Sequence, residues 1–281
     1  MSPKPYVTNS LAAFHSVVTE LRDQWRKDEQ NQAKKREDKS DFEPNQYWYR
    51  GVSNANYELK PKLYRKSGFE AVRKYPRSKP NEDEIRRGFK TSALQLMAEP
   101  RIPDDEKGWY FLMQHYGAPT RLLDWTDGAL LALYFAVREL RKPRDAAVWV
   151  LDPSWLNDKA FEEEENSYVS GVMLPEWKET DPWFPKPFEE LLHPERPLAL
   201  DPPHVARRVS VQRSHFTIHG TDRNGLDRLA REKGAKLVKI TIAQDGIANI
   251  LNDLETAGIV ETTIFPDLEG LSRELFRSWG G

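Results

Sequence analysis

Cysteine is absent from the 281-residue chain. That excludes disulfides, a thiol nucleophile and cysteine-held zinc or iron–sulfur centres, and it leaves the redox compartment open. No stretch approaches the roughly 18 consecutive apolar residues of a membrane span, and the opening MSPKPYVTNS lacks the charged-then-apolar order of a secretory leader. These absences imply a soluble, cytoplasmic protein with no membrane partner. An excess of one charge sign is missing too: 42 basic and 44 acidic side chains leave a net charge of −2, which argues against a generic polyanion binder. Walker, GxGxxG and GxSxG motifs do not occur, so P-loop hydrolysis and serine-hydrolase chemistry have no support.

Aromatic residues are plentiful, with nine Trp and ten Tyr. Such flat, amphipathic side chains suit a pocket for a ring-bearing ligand, and they equally suit an aromatic core or a partner surface. Leu11, Phe14, Val17, Val18, Leu21 and Trp25 recur at steps of three and four, which predicts an amphipathic helix beginning after Ser10. Its charged continuation up to residue 44 reads as a solvated helix end or loop. Residues 1–44 are therefore set apart from a main domain at 45–281.

Within that domain, QYWYRG reads as a strand with Tyr47 and Tyr49 on one face and Trp48 and Arg50 on the other. Helices are expected over Glu82–Met97 and Lys107–Tyr116. The apolar run TDGALLALYFAVREL predicts a buried central helix capped by Thr126 and ending near Pro143. A strand at Ala147–Leu151 follows. Residues 157–203 form a Pro- and aromatic-rich excursion, expected to be ordered because it carries Trp177, Trp183, Phe184 and Phe188. Further strands are read in RVSVQ, HFTIHG and KLVKITI. A helix carrying Ile247, Ile250, Leu251 and Leu254 comes next, and Asp267 caps the last one. Helices first and strands later imply an α+β fold, with mixed or antiparallel strands under the central helix.

Metal binding is not expected. His215 and His219 are four apart in HFTIH, but on a strand such rings lie about 13 Å apart.

YRG at Tyr49–Gly51 and FLMQHYGAPTRLLDWTDGALLALYFAV at Phe111–Val137 together resemble the FRG domain family, named for a Phe-Arg-Gly motif whose first place here holds Tyr. YELKPKLYR, RRVSVQRSHFTIHG and GIVETTIFPDLEGLSREL extend the resemblance across about Gln46 to Leu275. It implies a prokaryotic or phage protein, in some cases in a defence setting. A looser resemblance to ADP-ribosyltransferases rests on the order Arg50, then Ser210 or Thr217, then Glu261. It implies NAD as a substrate, with no other cofactor required.

On that reading Arg50 forks onto a phosphate, Gly51 lets the ligand approach the backbone, and Glu261 stabilises an oxocarbenium-like transition state. Trp48 or Tyr116 would stack on a ring. Gln114, Thr120, Arg121 and Gln212 would line the cleft, and His115 would serve as an acid–base or ligand-orienting group. Structural readings stand beside these. Arg50 or Arg121 forms a buried ion pair with Asp124, His115 is a satisfied half-buried histidine, Gln212 closes a hydrogen-bond network, and Glu261 is an exposed strand residue. Three functions follow: a nucleotide-ligand enzyme of NAD-cleaving or ADP-ribosyl-transferring type, a non-catalytic module recognising a ligand or protein partner, and nucleic-acid binding.

Overall fold

A computed structural model describes residues 6–35, 45–65, 82–96, 103–139, 143–162, 171–185, 194–201 and 214–279. Among them seven strands form one mixed sheet: β1 (Tyr6–Thr8), β2 (Trp48–Val52), β3 (Leu122–Thr126), β4 (Ala146–Leu151), β5 (Leu198–Leu200), β6 (Ser214–Ile218) and β7 (Leu237–Ile242). Their order across the sheet is β1-β7-β4-β2-β3-β6-β5, with β1 parallel to β7 and every other pair antiparallel. The helices are α1 (Leu11–Lys35), α2 (Glu82–Leu96), α3 (Glu106–His115), α4 (Ala129–Val137), α5 (Pro153–Ala160), α6 (Gly225–Leu229), α7 (Ile247–Thr256), α8 (Glu261–Ile264) and α9 (Leu268–Trp279). The α+β class expected from the sequence is the observed one.

Alternation along the strands divides the core. Tyr47, Tyr49, Val148, Val150, Ile240 and Ile242 face α1, α4 and α7. Farther along the same sheet face, Leu122, Leu198, Leu200, Phe216 and Ile218 pack on α3 together with Met173, Trp183 and Phe184. The opposite face buries Trp48, Leu123, Trp125, Trp149, Leu151 and Leu237 beneath Leu59, α5 and α6. Phe14, Val18, Leu21 and Trp25 of α1 lie in one cluster with Tyr47 and Tyr49, so the core continues across residue 44.

Several local expectations change. The central helix begins at Ala129 with Gly128 as its cap, and it gives way at Arg138. Thr126 instead ends β3, where its Oγ1 accepts from Gly128 N at 3.2 Å. Residues 122–126, to which the sequence reading assigned no element, are a strand. In the aromatic-rich segment Trp183 and Phe184 are buried, and β5 supplies a sheet edge. The RVSVQ strand, with Ser210 and Gln212, lies outside the described residues, as does Phe188.

Candidate functional site at the seam between β2 and β3

β2 pairs with β4 along its whole length, but with β3 only at Tyr49 opposite Thr126. Beyond that rung the two strands part. The three motif residues sit there, and each has a separate reason. Tyr49 is buried in the core under α4. Gly51 lies on the same face, where a Cβ would stand 1.9 Å from the Ala132 carbonyl oxygen, so only glycine lets α4 press onto the strand. This corrects the reading of Gly51 as a place of ligand approach, because the helix backbone fills that space.

Arg50 turns into the gap. Its Nη1 donates to the Asp124 main-chain oxygen at 2.5 Å and stands 4.0 Å from Asp124 Oδ2. The buried Arg50–Asp124 ion pair read from the sequence is therefore corrected: the Asp124 side chain is 56% exposed, against 18% for Arg50. Burial lowers the Arg50 pKa to about 10, Asp124 opposing the shift and the neighbouring positive charge of Arg65 adding to it. Gln114, from α3, holds the Asp124 carboxylate, its Nε2 donating to the two oxygens at 3.1 and 2.9 Å. Thr120 is buried and donates to Gln114 Oε1, which fixes the amide's orientation. Arg50, Asp124, Gln114 and Thr120 thus form one connected group.

His219 belongs to the surroundings of Arg50 and was considered in the sequence only as a metal ligand. It is fully buried, and its Nε2 is 3.1 Å from the Leu59 carbonyl oxygen. A carbonyl only accepts, so Nε2 carries the hydrogen and Nδ1 presents a lone pair, which has no hydrogen-bond partner. Burial drives its pKa down to about 3, with the charges of Arg121 and Arg50 acting in the same direction, so the ring is neutral. No spacing rule in the sequence could have found it, because the contact to Leu59 spans 160 positions.

The other candidates are placed as follows. Trp48 is 1% exposed and stacks on His215 at 4.6 Å, so it is core and closed to a ligand ring. Thr217 is buried and accepts from Trp125 Nε1 at 3.0 Å. Arg121 is held inside the protein by Glu82 and the carbonyls of His219 and Trp183, with no outward donor face. His115 is exposed at the end of α3, its ring edge-on to the exposed Tyr116 at 5.0 Å, so neither the half-buried position nor a place in the Arg50 group applies.

Glu261 is corrected most. It opens α8 instead of lying on a strand, it is buried, and its carboxylate accepts from Tyr134 Oη and Arg273 Nε, each at 2.6 Å, with Arg138 at 3.5 Å. Glu261 is thus tied to the central helix and α9, and the bonds that join Arg50, Asp124, Gln114 and Thr120 are made without it. Despite burial, those donors and cations hold its pKa below the usual carboxylate range.

Fold and seam define an α+β protein whose mixed sheet is nearly divided, with an arginine set in the division. Residues 45–145 match the model of the FRG domain family. The matched residues include β2, α3, β3 and α4, hence every member of the Arg50 group. Comparisons with curated proteins and with solved structures give no match. No helix among the described residues is long and apolar enough to cross a membrane.

Proposed function

We propose that the seam binds an anionic, nucleotide-like small molecule, with Arg50 as anchor and with Asp124 and Gln114 meeting its polar groups. The observation that carries this reading is the condition of Arg50. Its guanidinium is largely withdrawn from water and bonded to a main-chain carbonyl, while the carboxylate oxygen near it is 4.0 Å away and Arg65 adds like charge. Phosphate oxygens would give that planar fork the paired acceptors it lacks. The finer form of the proposal is NAD cleavage or ADP-ribosyl transfer, in which a carboxylate stabilises the oxocarbenium-like transition state. Asp124, exposed beside Arg50 and steadied by Gln114, takes the part that the sequence pattern gave to Glu261.

Calorimetric titration of the purified chain with NAD, ADP-ribose and ATP tests the site, while nicotinamide release is followed with protein and nucleic-acid acceptors present. Arg50→Lys is expected to weaken binding about tenfold or more, roughly 1.4 kcal/mol, with its thermal melt recorded as a control on folding. Asp124→Asn is expected to slow nicotinamide release with little change in affinity. Binding without release assigns the seam a recognition role. Failure of all three ligands to bind refutes it.

A further inference from the structure

Residues 59–65 lie against the start of β3 and the end of β6. Leu63 N donates to the Thr120 carbonyl at 3.1 Å, and Tyr64 Oη donates to the Gly220 carbonyl at 2.6 Å. Leu59 packs its side chain among Trp48, Leu123, Trp125 and Trp149, and its carbonyl fixes the tautomer of His219. His219 prolongs β6 in register, its N donating to the Arg121 carbonyl at 2.9 Å. By alternation from Thr217 its side chain takes the sheet face that carries Trp125, and this is the face on which Arg50 follows Trp48. Tyr64 stands edge-on to the imidazole at 6.3 Å, and the positive charge of Arg50 reaches it. Two groups of one neighbourhood thus have unspent capacity of opposite kinds. Arg50 has N–H donors beyond its main-chain acceptor and the Asp124 carboxylate 4.0 Å away, and the buried His219 Nδ1 has a lone pair without a hydrogen-bond partner.

We propose, building on the reading of the seam as an anion site, that its ligand is a phosphorylated sugar, whose phosphate meets Arg50 while a sugar hydroxyl donates to His219 Nδ1. Charge decides against a bare anion. A fully ionised phosphate or sulfate offers only acceptors, which satisfy the guanidinium and are repelled by the lone pair. A ligand that serves both must join an anion to a hydroxyl or an N–H within a few bonds, as a sugar phosphate does. Packing decides against a nucleobase as the donor. Trp48, Trp125 and Trp149 on this face are 1%, 3% and 7% exposed, so none of them offers a platform on which a base could stack. With a pKa of about 3 the imidazole stays neutral, so it orients the sugar and takes no proton from it.

The test is nitrogen NMR of the full chain with its six histidines labelled in the ring, at about pH 8, where a phosphate monoester is a dianion. The His219 signals are identified by their absence from His219→Gln, which keeps a donor for Leu59. Ribose 5-phosphate is expected to move the Nδ1 resonance to lower frequency, as accepting a hydrogen bond does. Sulfate, which has no hydrogen to give, should compete with ribose 5-phosphate without producing that shift. Arg50→Lys should weaken both ligands, whereas His219→Phe should lower the affinity for ribose 5-phosphate relative to that for sulfate by about tenfold. The wild-type shift decides the matter by itself if His219→Phe fails to fold. A shift with ADP-ribose but none with ribose 5-phosphate assigns the donor to adenine and overturns the sugar. An Nδ1 signal that ignores every probe, while Arg50→Lys still weakens their binding, leaves the lone pair to a buried water; this overturns the proposal and spares the seam. If no probe binds, both fall.

Discussion

Replacing Arg121 by Met tests whether this residue holds the protein together or meets a ligand. The Arg121 and Glu82 side chains are 1% and 4% exposed. Arg121 Nε donates to the two carboxylate oxygens at 3.0 and 2.9 Å, Nη1 donates to the His219 carbonyl at 2.6 Å, and Nη2 reaches the Trp183 carbonyl. Tyr110 closes the group, its hydroxyl donating to Glu82 and accepting from Arg121 N at 2.7 Å. Methionine fills the aliphatic volume but withdraws the guanidinium from a buried carboxylate and two carbonyls. Breaking such a pair costs about 3–5 kcal/mol, a large part of the roughly 5–15 kcal/mol by which a domain is stable. At a slope of about 2–3 kcal/mol/M, the urea midpoint should fall by roughly 1–2 M. Adding Glu82→Gln removes the carboxylate charge that Arg121 balances, so the double variant should be more stable than Arg121→Met alone. An unchanged midpoint in Arg121→Met, or strictly additive losses in the double variant, would refute the argument and return Arg121 to the ligand-binding candidates.

Two other expectations follow from the site. Gly51→Ala sets a Cβ 1.9 Å from the Ala132 carbonyl oxygen and 2.7 Å from Ala136 N, both backbone atoms. It should cost about 1–3 kcal/mol or more, seen as a lowered melting temperature, and an unchanged melt would mean that α4 does not press on β2. His219 has a native pKa of about 3, below the roughly 6.5 of an unfolded imidazole. The unfolded chain therefore takes up the proton first. The stability due to the neutral ring is complete above pH 6.5 and is lost as pH falls through the window from 6.5 to 3, at up to about 1.4 kcal/mol per pH unit. His219→Gln, whose amide still offers a donor to Leu59, should flatten the slope of stability against pH in that window. Equal slopes in the two proteins would contradict a buried neutral ring.

Where the hydrophobic period is regular, the chain was legible. The α1 stripe, β7 and α7 lie where alternation and three-four spacing put them, because one face of each meets a continuous core, while β4, buried on both faces, was legible as a short apolar run. β3 was missed because Leu122 and Leu123 are buried on opposite faces and Asp124 interrupts the pattern, so LLDWT shows no alternation. Thr126 carries a genuine helix-start signal and uses it from the end of a strand, binding Gly128 N before the helix proper begins. β5 was hidden by the prolines around it, which are tolerated at the edge of a sheet. Glu261 sits in IVETTIF, a β-prone run, but Thr263 Oγ1 accepts from Val260 N at 3.0 Å and turns the chain into a helix. At the site, Arg50 and Asp124 were visible as a pair. The parting of β2 from β3, which gives the pair its geometry, depends on strand neighbours far apart in the chain and has no local signature.

The single rung at Tyr49 and Thr126 also bears on what can be cut out of this protein. One half of the sheet draws its strands from residues 6–8, 48–52, 146–151 and 237–242, and the other draws from 122–126, 198–200 and 214–218. The two sets interleave along the chain, so neither half is a continuous piece that could be expressed alone. The span 45–145 that matches the FRG family contains β2 and β3 but stops before β4 and well before β6, the strands that pair with them along their lengths. Excised, it would hold two strands sharing one ladder position, with Trp48, Leu123 and Trp125 stripped of the α5 and α6 residues that help bury them. The stretch that defines the family and the stretch that folds are different lengths of chain, and the folding unit reaches from β1 at least to β7.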